Sequence, residues 1–366
     1  MLFHTMERRS VLPVVLLALG GLAGIGSPDA DPLRAQEVAS GAGSDLRLAT
    51  RVQIQYEANS DDANSSFFLR RVWATLDGTV NELVDGRVQL DVAGGAALEA
   101  WLRLNLSESF RLHIGQVKRG MSYFWYVPNF DLPVIERDAR VPGVDPCPGI
   151  GGVCSFGNFT WSLGLDTYEP GLVAVGDLGD RVSYRLGLSN GEGIGNRDVN
   201  GRKTVTSQLN FAVAGESRFS VYGSLDDRVR ADGASTSDPV YGVEWETGGW
   251  HSGAHFIASV VRGTNWKVSE EAPFTTAQAL WLWYRELSPD SRFAALEPML
   301  RVSWATTEDD RGRSAGGLTF TPGLMLYATQ RNGIAANLDI YRAMSDADGS
   351  TPGTDWSLKI QAFTRF

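Results

Sequence analysis

The chain has 366 residues with 33 Lys and Arg against 43 Asp and Glu, a formal charge of -10, so its composition carries no basic surface for nucleic acid. Two cysteines and four histidines leave too few soft ligands for a zinc site, while 41 glycines and 10% aromatics suit a strand-and-turn protein.

Arg8 and Arg9 precede an uncharged run from Val11 to Gly26, and small and polar residues follow up to Ala35. A basic start, a short apolar core and small residues before a cut read as a secretory leader over residues 1–35. The run is shorter than the roughly 20 residues a spanning helix needs, and Pro13 interrupts it. No later stretch reaches that length without a charge, so this chain would enter a membrane only as strands.

From Leu46 to Tyr56, Leu46, Leu48, Val52, Ile54 and Tyr56 alternate with Arg47, Arg51, Gln53, Gln55 and Glu57. Such alternation gives a strand one oily and one wet face. A second run covers 67–77, where Arg70 and Arg71 fall on opposite faces and leave the register open. Runs 84–92, 98–106 and 110–114 repeat the pattern closely, and eleven further candidates follow up to Phe366. The total is sixteen, an even number.

The connections alternate in length. Short breaks fall at 78–83, 107–109, 178–180, 214–217, 247–250, 287–291 and 328–332, whereas 190–203, 226–239, 263–274, 306–317 and 343–354 are longer and more polar. Only 93–97 is brief among the second set. Short turns on one rim and long loops on the other predict an all-β fold, a 16-stranded antiparallel transmembrane barrel of the bacterial outer membrane. Tyr56, Trp245, Tyr284, Trp304, Trp356 and Phe366 sit at run ends, where interfacial aromatic girdles belong.

One connection, from about Arg119 to Pro170, is far longer than the rest, and loops of that length are usually functional. It opens on Tyr123-Phe124-Trp125-Tyr126, a cluster that either packs the segment against the wall or offers stacked faces to sugars. Its charges are mixed: Lys118, Arg119, Arg137 and Arg140 against Asp131, Glu136, Asp138 and Asp145. Cys147 and Cys154 lie in the same stretch, and a loop-closing disulfide is the expected state in an exported chain. Residues 36–366 are thus read as one barrel with this segment as a constriction loop.

Leu69-Arg70-Arg71-Val72-Trp73, Leu112-His113-Ile114-Gly115-Gln116-Val117-Lys118 and Tyr184-Arg185-Leu186-Gly187-Leu188-Ser189-Asn190-Gly191 resemble motifs of the phosphate-selective porin O and P family. The resemblance implies a homotrimeric outer-membrane porin whose third external loop folds inward. Its terminal Phe366 is similar to the aromatic signature read by the outer-membrane assembly machinery. Tyr168-Glu169-Pro170-Gly171 departs from the family's Arg before the strand that follows the loop, so phosphate selectivity does not carry over with the motifs.

In this register the wet faces place Arg47, Arg51, Arg87, Arg103, Arg111, His113, Arg185, Arg301, Lys359 and Arg365 along the pore. Glu57, Asp85, Asp91, Glu99, Glu244, Glu246, Glu297 and Asp339 accompany them. Such opposed charges either pair with one another or set ion preference by local excess. Trp281 and Trp283 would face inward if Leu280, Leu282 and Tyr284 face lipid. The expected function is a passive aqueous channel for small hydrophilic solutes or ions, anions such as phosphate among them, with lipid as surroundings and no cofactor. The alternatives are a secreted carbohydrate-binding β protein or a barrel enzyme. The sequence lacks a Gly-x-Ser-x-Gly element, a Walker loop and a zinc-protease motif, and only His113, His251 and His255 follow the leader.

Overall fold

A computed structural model describes residues 36–366 apart from 42–43, 61–64, 128–131, 231–232, 234, 270–271 and 346–352. The expected leader and Asp131 therefore lie outside the described residues.

Alternating sequences become alternating faces. After a short β1 (Gln36–Gly41) come β2 (Ser44–Asn59), β3 (Ser66–Thr79), β4 (Val84–Asp91), β5 (Ala96–Ser107), β6 (Phe110–Arg119), β7 (Thr167–Asp177), β8 (Val182–Ser189) and β9 (Thr204–Ala212). The second half holds β10 (Ser217–Val229), β11 (Ser235–Gly249), β12 (Ser252–Thr264), β13 (Pro273–Glu286), β14 (Ala295–Glu308), β15 (Ser314–Thr329), β16 (Asn332–Ser345) and β17 (Thr354–Arg365). Every pairing is antiparallel between chain neighbours, and β17 pairs β2 to close a ring of β2 to β17. The fold is a 16-stranded antiparallel barrel. β1 pairs the first residues of β2 on the edge that β17 uses further along, and Phe366 exchanges backbone hydrogen bonds with Thr50 at 3.1 and 3.2 Å.

The exterior is the oily side. Ile54, Leu69, Leu102, Ile114, Leu186, Val205, Tyr241, Val260, Trp281 and Phe320 are among the exposed large apolar side chains, the reverse of a water-soluble core. Closure satisfies the backbone groups within the wall, which lipid requires.

Two expectations change. Much of 226–239 and 306–317, read as loops, is strand: Asp226, Asp227 and Arg228 pair with Asp238, Ser237 and Thr236, and β14 and β15 leave only 309–313 between them. Beyond the lipid band both faces are wet, so polar residues do not end a strand whose ladder continues. The difference between the rims then rests mainly on 120–166 and 190–203. The register of β13 is also inverted. Leu280 and Leu282 are fully buried inside, while Trp281 and Trp283 are exposed outside. Tyr284, assigned above to a girdle, packs against Tyr327 at 5.7 Å.

Candidate functional site

The described residues of 120–166 run inside the barrel, and Lys118 and Arg119, assigned above to this loop, belong to the end of β6. Two small helices shape the segment. Ser122 caps the turn α1 (Tyr123–Tyr126) by accepting from Trp125 N at 3.2 Å, and Ser155 caps α2 (Phe156–Ser162) by accepting from Asn158 N at 3.3 Å. A Cβ on Gly157 would lie 2.0 Å from Arg137 O, so only glycine lets α2 pack on that backbone. Cys147 and Cys154 form a disulfide within the segment.

Apolar side chains seat the segment on one side of the lumen. Met121, Phe156, Phe159, Leu163 and Leu165 pack on Tyr222, Val240, Val261 and Phe274, and Phe124, Val127, Leu132 and Val134 pack on Ile257, Leu280, Leu282 and Met299. Each such burial is worth roughly 1.5–3 kcal/mol. This explains the apolar inner face of β13, which meets protein rather than water.

Polar groups fix the register of the segment on the wall. Arg301 donates to the carbonyls of Glu136 and Arg137 at 2.8 and 3.1 Å and pairs with Asp339 at 2.9 Å. Lys359 Nζ reaches Asp339 at 2.6 Å and Arg140 O at 2.5 Å, and Arg140 meets Glu57 at 3.2 Å. Arg301 and Lys359 thus face inward but are sealed beneath the segment, 1% and 0% exposed, and do not line open water. A second buried network, absent from the sequence reading, joins Arg119 and Arg228 to Glu169 and Asp226 at the other end of the segment.

Arg70 and Arg71 both point inward. Gln53 pairs Arg71 and Ile54 pairs Leu69, so Arg70 is the extra residue of a β-bulge. Both guanidiniums bind Glu136, Arg70 Nη2 at 2.9 Å and Arg71 Nη2 at 3.2 Å. Burial pushes the Glu136 carboxyl up, but Arg71 and Arg70 outweigh it and hold it well below the usual carboxylate range. Burial raises Asp166 to about 6 against hydrogen bonds from Thr160 and Met121 N, and lowers Arg137 to about 9. Burial and Glu136 raise Asp138.

Two of the spaces left to water lie along β2 to β8, and another of about 570 Å³ lies beside Asp177, Arg218 and Glu246. On the side of the longer connections, a cavity of about 390 Å³ is lined by Arg70, Arg71, Arg137 and Arg140 and by Asp91, Glu136, Asp138 and Asp166, a balanced set. On the other side, a cavity of about 670 Å³ is lined by seven basic side chains, Arg47, Arg51, Arg87, Arg103, Lys118, Arg185 and Arg365, against four acidic ones, Asp45, Asp77, Asp85 and Glu99. His113 lines it too, whereas Arg111 pairs with Asp177 at 2.7 Å and does not border it. Trp73 and Tyr168 border both cavities and cluster with Leu98 and Trp125, so this buried aromatic cluster stands where the two meet.

A closed ring of sixteen strands with an inward segment matches solved barrels of one kind. The fold is that of bacterial outer-membrane porins. The outer-membrane channel DcaP of Acinetobacter baumannii aligns at a TM-score of 0.60 and 12% identity over 91% of this chain and 100% of its own. An anion-selective porin from Comamonas acidovorans aligns at 0.59 and 10% identity over 88% and 100%. A trimer form of OmpT, an outer membrane protein of Vibrio cholerae, aligns at 0.56 and 9% identity over 89% and 100%. No family model and no curated protein matches the sequence.

Proposed function

We propose that this protein is a passive channel of the bacterial outer membrane that prefers small anions. The observation that carries the reading is the excess of basic over acidic side chains around the larger cavity, next to a passage narrowed by the inward segment. Low-dielectric walls focus that excess, so a local surplus outweighs the net charge of the whole chain. Arg47, Arg51, Arg87, Arg103, Arg185 and His113 are its lining, and Glu136, Arg137, Asp138 and Arg140 belong to the constricting segment. The class is anions. A homotrimer agrees with the trimer form of the Vibrio cholerae relative in fold, and the terminal Phe366 with recognition by the assembly machinery. The test is a reversal potential across a lipid bilayer in a KCl gradient. An anion-side potential is expected, and a cation-side potential would overturn the reading.

A further inference from the structure

Lys118 and Arg185 differ from Arg87 and Arg103 of the larger cavity in their charge partners. Arg87 and Arg103 are tied to Asp77 and Asp85 at 2.6 Å each. Among the described residues no carboxylate lies within ion-pair distance of Lys118 or Arg185. Both are held on rings of the inward segment: Arg185 lies 4.0 Å from the Tyr126 centroid, and Lys118 lies 4.9 and 6.0 Å from those of Trp125 and Tyr126. Cation–π contact fixes a cation in place without neutralising it. The same cavity presents Trp101, tilted against His113 at 4.7 Å and with the Arg87 and Arg103 guanidiniums 5.8 and 5.9 Å from its centroid, a cationic edge beside the ring. At its narrow end the buried indole N–H of Trp73 has no hydrogen-bond partner.

We propose that this cavity holds a binding subsite for planar aromatic carboxylates, with Lys118 and Arg185 taking the carboxylate and Trp101 flanking the ring. The proposal rests on the anion-channel reading and narrows it to a chemical class. A carboxylate offers two in-plane oxygens that suit a guanidinium fork and an ammonium together. A flat ring gains dispersion and edge-to-face contact from the indole, which an inorganic anion cannot use. The cavity volume falls within the range of small-ligand sites, roughly 300–1,000 Å³. An acceptor on the solute would satisfy the Trp73 donor.

The test uses full-length protein in KCl-bathed bilayers with benzoate, cyclohexanecarboxylate and inorganic phosphate as blockers. The half-blocking concentration of benzoate should be about tenfold below that of cyclohexanecarboxylate, an acid of similar size without the ring faces, which equals about 1.4 kcal/mol. Lys118→Gln or Arg185→Gln should raise the benzoate value about tenfold, and Trp101→Leu should remove the difference between the two acids. Equal block by both acids in the unmodified protein, or tighter block by phosphate than by benzoate, overturns the subsite whatever the variants do. In either case an anion-side reversal potential would leave the channel reading standing.

Discussion

Arg71 Nη2 donates to Glu136 Oε2 at 3.2 Å, tying the barrel wall to the lumen segment across 65 residues of chain. The bulge that turns Arg70 to the same side gives that carboxylate a second guanidinium. Removing one member of a buried charge cluster costs roughly 3–5 kcal/mol, because the partners stay behind unpaired. Glu136→Gln should therefore loosen the segment locally. We expect larger open-channel current noise and a reversal potential moved further to the anion side, with gel mobility before heating unchanged. Noise equal to that of the unmodified protein would show that the apolar contacts alone hold the segment.

The pH dependence has opposite signs at two carboxyls of the segment. Glu136 is depressed, so its contribution is present above the unfolded value near 4 and is lost only as pH falls through its lower folded value. Asp166 is raised to about 6, so its contribution is complete below an unfolded value near 4 and is lost as pH rises through 6. Segment protection, read by hydrogen exchange over 120–166, should weaken between about pH 4 and 6 and should not collapse at pH 4. Asp166→Asn should reduce the change between those values, and what remains belongs to Asp138, which burial also raises.

Reducing the disulfide between Cys147 and Cys154 should act on the segment alone. Closing so short a loop is worth roughly 2–3 kcal/mol in chain entropy, and the strands do not depend on it. We expect faster exchange around 141–156 and an unchanged heat-modified mobility. A lowered barrel melting temperature would contradict this.

Deleting 131–154 should raise conductance and move ion preference toward neutral, with the barrel still assembled. The excision would uncover Leu280, Leu282, Arg301, Lys359 and Asp339. Pairing the deletion with Leu280→Ser and Leu282→Ser should improve recovery of assembled channel, measured as the fraction of unheated protein migrating as folded barrel. Unchanged conductance in assembled channels would sink the assignment of this segment as the constriction.

Most of the barrel was legible because its exterior obeys a simple rule: an apolar residue at every second position, from Leu102 to Leu106 or from Tyr241 to Trp245, is one face of a strand. Where the rule failed, a neighbour that the linear sequence does not reveal had replaced lipid or water. Leu280 and Leu282 face Phe124 and Val134 rather than lipid, and this inverted the reading of Trp281 and Trp283. Arg70 defeated the period because a bulge adds one residue to one strand and leaves no composition of its own. The pairing of Arg119 with Asp226 spans 107 residues, a distance at which charge patterning carries no signal. Nor does a wet face distinguish Arg185, which borders open water, from Lys359, which lies under protein.

Because the segment fills the side of the lumen walled by β10 to β17, the two halves of this barrel answer to different selection. Inward side chains that border the larger cavity, such as Arg87 and Arg185, meet the traffic, so substitutions there should surface as altered uptake in a cell with normal amounts of protein. Inward side chains of β10 to β17 that the segment covers form the interior of a folded domain. Variants such as Arg301→Ala or Asp339→Ala should surface as scarce protein, with the few surviving channels conducting normally.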